Sequence, residues 1–233
     1  PKPQQYWDVP FEPLPAASGD ELQEELVERI REAVKIRMVA EVPLGAFLSG
    51  GVDSSAVVAM MAGLSDEPVN TCSIGFKEAA FDESDYADDV AKQYKTSHEM
   101  RRVESDDFDL IDDLARLYDE PYADSSSIPT YRVCQLAREK VTVALSGDGG
   151  DEGMAGYRRY RLHMMEERVR SKIPLSVRRG LFGPLGTAYP KLDWAPRVFR
   201  GKTTFQAMAR SSAEAYAHSM TWLSEDLREL LYT

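Results

Sequence analysis

The chain has 233 residues, 43% of them hydrophobic, which is enough to bury a core in one large domain or in one domain with an appendage. Its 39 acidic against 28 basic side chains give a formal net charge of -11, a balance that repels a long phosphate backbone and argues against nucleic acid as a partner. A single nucleotide is not excluded, because backbone N–H groups and a metal ion can hold phosphates without a basic surface.

Cys72 and Cys134 lie in separate apolar segments, so neither a disulfide framework nor a CxxC metal site is expected, and both read as buried, reduced thiols. The start, "PKPQQYWDVPFEPLP", lacks the basic and apolar regions of a signal peptide, and no apolar run reaches membrane-spanning length. A cytoplasmic protein, or a piece cut from one, with no membrane partner is the expectation.

Five prolines with interleaved aromatics make residues 1–17 an extended strap or linker. Ser18, with Glu21 three residues on, reads as an N-cap for a long amphipathic helix carrying Leu22, Leu26, Ile30 and Val34 and ending before Pro43. Short apolar runs then alternate with helical segments. "LGAFL" (44–48) precedes a helix from about 53, and "VNTCSIGF" (69–76) precedes a helix over about 83–94. "SHEMRRV" (97–103) is followed by helices over about 106–118 and 129–139, and then by "VTVALS" (141–146). Strands separated by helices of this length predict a doubly wound, mostly parallel α/β sheet over residues 18–156. Residues 157–233, arginine-rich and without β-branched runs, predict a helical extension.

Ligands of doubly wound sheets sit at the carboxyl ends of the strands. "SGGVDSS" follows the first predicted strand and opens a helix, the setting in which a glycine loop has meaning. Gly50 and Gly51 allow a sharp turn and close approach to an anion, Ser49, Ser54 and Ser55 offer hydroxyls, and the helix N-terminus adds partial positive charge. No lysine follows as a Walker A loop requires, and the spacing is not GxGxxG. Asp53 beside a phosphate site would repel it unless a cation intervenes, which points to magnesium; as a bland alternative it is a helix cap. The motif resembles the pyrophosphatase loop (PP-loop) of N-type ATP pyrophosphatases, which cleave ATP between its α and β phosphates and adenylate a substrate.

"VALSGDGGDEGMAGYRRY" (143–160) repeats the design, a strand and then Ser146, Gly147, Asp148, Gly149, Gly150, Asp151 and Glu152. Its neighbours at the top of one sheet would be the first loop's residues, with Asp151 a second magnesium ligand and Asp148 a base or electrostatic partner; the alternative is a solvated acidic turn. Together with "FDESDYADDVAKQY" (81–94) and residues 119–157, the two loops resemble the synthetase domain of class II glutamine-dependent asparagine synthetases. Their bacterial amidotransferase paralogues and the related β-lactam synthetases are included in that resemblance.

The resemblance implies an adenine nucleotide alpha hydrolase-like fold, ATP and Mg2+, and a small carboxylate substrate, aspartate by default. It implies an acyl-adenylate formed with release of pyrophosphate, then amidated by ammonia from a glutaminase domain, and it admits a homodimer. Position by position, Leu48 and Ile74 match contacts to adenine, and Ser49, Gly50, Gly51, Asp53 and Ser54 the pyrophosphate loop. Ser146 and Gly147 match nucleotide contacts, Asp53 and Asp151 metal ligands, and Tyr157 a residue near the reacting centre. Asp148 stands where the family has a glutamate credited in amidation. The usual Asp-Glu-Leu-Phe-Gly-Gly-Tyr reads here Asp-Glu-Gly-Met-Ala-Gly-Tyr, which loosens an apolar anchor and suggests a paralogue. The glutaminase half and the later lysine-bearing segment find no match, the latter after Lys202, so the chain is expected to be a fragment. A sugar-acid amidotransferase, a β-lactam-forming cyclase and a nucleotide-binding module without catalysis remain alternatives. His98, His163 and His218 form no metal pattern and read as surface or packing residues. The charges of "YRRYRLHMMEERVR" read as a solvated helix face in preference to an anion patch.

Overall fold

In a computed structural model, the residues described are 3–9, 18–77, 82–103, 110–119, 122, 124–192, 194–196, 200–221, 223 and 225–232. The chain divides into two compact units, Pro1–Asp148 and Gly149–Thr233. That division falls inside the second glycine loop, whereas the change in composition comes after Gly156. Of the proline-rich strap, residues 3–9 are exposed and without regular structure, and 10–17 lie outside the described residues.

The first unit opens with helix α1 (Gly19–Arg37), whose Ser18 side chain accepts from the Glu21 N–H while Glu21 accepts from the Ser18 N–H. This reciprocal box satisfies two donors that a helix start otherwise leaves unpaired. The apolar stripe is covered only toward its end: Val34 is buried and Ile30 packs on the core, but Leu22 and Leu26 are exposed.

Four strands follow, β1 (Leu44–Phe47), β2 (Asn70–Phe76), β3 (Ser97–Val103) and β4 (Val143–Leu145), in the order β3-β2-β1-β4. All three pairings are parallel, with Phe47 opposite Cys72 and Ala46 opposite Leu145. Between them run α2 (Val52–Leu64), α3 (Ser84–Tyr94), α4 (Ile111–Leu117) and α5 (Ser127–Ala137). The start of the helix expected over 106–118 lies outside the described residues.

Alternation along the strands separates two cores. Ala46 and Leu48 pack with Val34 of α1, Val58 and Met61 of α2, and Ala87 and Ala91 of α3. Phe47, Cys72 and Ala144 pack on Leu136 and Ala137 of α5. The sheet is therefore covered on both faces, as a doubly wound fold requires. Cys72 is buried as expected, but Cys134 is exposed. It precedes Leu136 by two residues, about 200° around the helix, so it faces away from the core that Leu136 joins.

His98 of β3 is a satisfied packing residue. Its Nδ1 lies 2.9 Å from Thr71 Oγ1 and its Nε2 3.2 Å from Ser73 Oγ, with Asp88 of α3 3.8 Å away. Burial holds its pKa below the ordinary 6.5, with Asp88 opposing.

The second unit is helical, with a single turn α6 (Gly150–Gly153) followed by α7 (Arg158–Arg170), α8 (Leu175–Ala188), α9 (Lys202–Met208), α10 (Ser212–Met220) and α11 (Glu225–Leu231). The solvated reading of the arginine-rich helix fails at its end. Arg170 is 2% exposed, held by Glu166 at 2.9 Å and Glu167 at 2.6 Å, carboxylates one turn back on the same face. Arg178 is also buried and donates to the carbonyls of Ile173, Met208 and Arg210, closing the carboxyl end of α9. Among the described residues no helix is long and apolar enough to cross a membrane.

A lowered histidine pKa has a defined sign. Below the ordinary 6.5 the unfolded chain takes up a proton that folded His98 resists, so stability is full above that pH and declines as pH falls through it toward the folded value. Urea midpoints should drop between pH 7.5 and 5.5, and His98→Gln should flatten that slope. His218, lowered by its own burial, leaves a residual dependence.

Candidate nucleotide site

The strand order sets where a ligand can sit. From β1 the chain steps outward to β2 and β3, then β4 returns to the other side of β1. The loops after β1 and β4 thus flank the reversal of strand order, the crevice where doubly wound sheets bind ligands. Both glycine loops are there.

The first loop is closed by its own side chains. Ser54 is buried, and its Oγ donates to the Gly51 carbonyl at 3.1 Å while accepting from the Ser49 N–H at 3.2 Å and lying 3.0 Å from Ser49 Oγ. Ser49 Oγ in turn accepts from the Gly51 N–H at 3.3 Å. The Ser54 hydroxyl is therefore a staple with its bonds spent, not a donor held out to an anion. Ser55 Oγ is buried with no partner. What remains for a ligand is the set of backbone N–H groups in the first turn of α2.

Two glycines are dictated by close approach. Gly50 has φ +81°, and a Cβ there would stand 2.7 Å from Tyr86 Cβ and 2.9 Å from the Ala87 nitrogen, so the loop rests on the start of α3. At Gly147 a Cβ would lie 2.6 Å from the Ser54 nitrogen, 2.8 Å from the Asp53 carbonyl carbon and 3.0 Å from Asp53 Cβ. The second loop is therefore seated directly on the first turn of α2. Ser146 Oγ donates to the Asp148 carboxylate at 2.9 Å, folding that exposed side chain back along its own loop.

Ser49, Gly50, Gly51, Asp53, Ser54, Ser146, Gly147 and Asp148 thus belong to two loops in contact within the first unit. Leu48 and Ile74 are not equivalent neighbours. Leu48 is buried against α2 and α3, and its N–H bonds the Cys72 carbonyl at 2.9 Å, so only its carbonyl is left to offer. Ile74, two residues beyond Cys72, lies on the α5 face.

Asp151 and Tyr157 belong to the second unit. There the Gly156 N–H bonds the Asp151 carbonyl at 2.9 Å, and a Cβ at Gly156 would run into the Asp151 carboxylate. Tyr157 donates to Glu152 Oε1 at 2.7 Å. Ala155 has φ +56°, a left-handed conformation that glycine adopts freely and alanine does not. Met154 is 53% exposed and a side chain at Gly153 would meet nothing within 4 Å, so this turn has no apolar anchor of its own. Glu152, Ala155, Gly156 and the nearby Arg159 had no role in the sequence reading. Only Ala155 carried a signal there, as the alanine where the family pattern has glycine.

Among the described residues no group of three or more His, Cys, Asp or Glu forms a metal site. A magnesium ion held through one or two carboxylates plus substrate phosphates needs no such group, and the anion-ready first turn carrying Asp53 fits that arrangement.

Gly147→Ala should weaken binding of ATP, the ligand implied by resemblance, about tenfold or more by calorimetry, with circular dichroism unchanged. Ala155→Gly should raise stability by about 0.5–1 kcal/mol in denaturant titration, the relief of strain exceeding the entropy of the added glycine.

The family model for asparagine synthase matches residues 25–233. A protein of Methanocaldococcus jannaschii named putative asparagine synthetase [glutamine-hydrolyzing] 2 is 39% identical over 92% of this chain and 41% of its own length. Asparagine synthetase [glutamine-hydrolyzing] 1 of Bacillus subtilis is 34% identical over 92% of this chain and 34% of its length. The chain therefore spans well under half of these curated relatives. Among solved structures, an NMN synthetase of Francisella tularensis superposes over 92% of this chain and 91% of that one, at 13% identity and a TM-score of 0.40, a likeness too loose to add to the argument. With 209 consecutive residues matched, 25 through 233, the chain belongs to the asparagine synthase family.

Proposed function

We propose that this chain is the synthetase part of a cytoplasmic, glutamine-dependent carbon–nitrogen ligase that adenylates a carboxylate with ATP, releases pyrophosphate and passes the acyl group to ammonia. The observation that carries the reading is the seating of Gly147 on Asp53 and Ser54, which joins two glycine loops into one anion-binding floor at the reversal of strand order.

In this reading the first-turn N–H groups of α2 bind the pyrophosphate portion, on a loop made rigid by the Ser49, Gly51 and Ser54 bonds. Rigid donors aimed at the leaving group act without reorganising during the step. The Leu48 carbonyl and the Ile74 side chain serve adenine, and Ser146 and Gly147 contact the nucleotide. Asp53 and Asp151 would hold magnesium, which when bound supplies charge neutralisation to the phosphates. Asp148 serves the incoming ammonia, and to do so its carboxylate gives up the bond from Ser146 Oγ. Tyr157 takes, by the family resemblance, the role of a residue near the reacting centre.

Aspartate is the proposed acid, supported by the names of the two relatives above. A second reading, a paralogue acting on a sugar acid or closing a β-lactam, is favoured by the unanchored Gly153–Met154 turn and the short Asp148. The glutaminase that supplies ammonia and any homodimer belong to the proposed whole protein.

In the full-length protein, Asp53→Ala should cut carboxylate-dependent pyrophosphate release about 100-fold or more while leaving the far-ultraviolet spectrum intact. Release at the wild-type rate would sink the metal assignment. A panel of aspartate, sugar acids and β-amino acids, read by the same assay, separates the two substrate readings.

A further inference from the structure

Tyr157 is held from two sides in a way the reaction scheme does not use. Its hydroxyl donates to Glu152 Oε1 at 2.7 Å, while the guanidinium carbon of Arg159 lies 3.8 Å from the centre of its ring. The two contacts are orthogonal. One fixes the direction of the phenol and the other the plane of the ring, so together they remove both rotations of the side chain.

Arg159 is itself fixed by aromatic neighbours. It lies 5.6 Å from the Tyr160 ring centre, and the Tyr160 and Tyr216 hydroxyls are within its hydrogen-bonding reach. Tyr160 meets Tyr157 edge-on at 5.7 Å and stacks on Tyr216 at 6.2 Å. Arg159 Nε is buried and has no acceptor. The guanidinium is thus located by its cation–π contacts and by the Tyr160 and Tyr216 hydroxyls. The same turn carries Asp151, tied to Gly156 immediately before Tyr157.

We propose that Glu152 and Arg159 are positioning residues that clamp Tyr157, by its hydroxyl and its ring face, for the adenylation proposed above. The inference rests on that reading for its purpose but not for its geometry. The electrostatics agree with the contact: Glu152, as acceptor, raises the Tyr157 pKa above 10.0.

The test uses the full-length protein with 3-fluorotyrosine at position 157 and two readouts, the pH titration of its fluorine resonance and the kinetics of pyrophosphate release. Glu152→Gln should move the fluorine titration to lower pH and reduce kcat about 10- to 100-fold, with KM for ATP within about threefold. Arg159→Met should broaden or shift the resonance and reduce kcat about tenfold, while Arg159→Lys, which keeps a cation over the ring, should recover to within about threefold of wild type. An unmoved titration in Glu152→Gln overturns the clamp. A moved titration with unchanged kcat overturns its positioning role. If the unsubstituted protein releases no pyrophosphate with any acid, the adenylation reading fails and the positioning role with it, and the fluorine titration still decides whether the clamp exists.

Discussion

The contact between Gly147 and the first turn of α2 is the constraint from which the rest of the first unit's site follows. It places the backbone of one loop where no side chain fits, 2.6 Å from the Ser54 nitrogen for a hypothetical Cβ. That approach is possible because β4 pairs with β1 in parallel and in a register that sets its last residue, Leu145, opposite Ala46, one residue before β1 ends at Phe47. Shift either strand by one residue and Gly147 is exchanged for Ser146 or Asp148, whose side chains would strike the helix. The pairing of β1 with β4, the seating of the second loop and the fixed position of Asp53 are one geometric fact seen at three scales.

Much of this was legible in the residues. The alternation of short β-rich runs with helical segments gave the parallel sheet, because strands buried on both faces need helices between them. The capping box at Ser18 was readable because it is local, a matter of three residues. What escaped was the direction in which individual side chains turn. The role of Ser54 depends on which way its hydroxyl turns, and it turns inward to Gly51 and Ser49. Leu48 and Ile74 look alike in a motif, yet strand parity sends them to opposite faces. Cys134 sits in an apolar helix but on its outer side.

Charge misled for a related reason. An arginine preceded along a helix by carboxylates one turn back reads the same whether the face is wet or buried, since the pattern of ion pairs does not encode what covers it. Arg170 and Arg178 are both enclosed, one by its own helix's glutamates and the other by carbonyls at the end of α9. Buried cations need strong acceptors close by, and the two terminal nitrogens of Arg170 have theirs although its Nε does not. Through Arg178, α8 meets the end of α9 by polar contacts of fixed direction.

The first glycine loop offers its ligand the main chain and spends the Ser49 and Ser54 hydroxyls on itself. Substitution by any residue except proline leaves the peptide N–H in place, so these few residues tolerate side-chain changes unequally. Val52, exposed, has room for other side chains. Gly50 and Gly147 are bound to their identity by the space their neighbours occupy. The surface offered here is made of backbone, and a residue's identity matters to it only where another side chain would dent it.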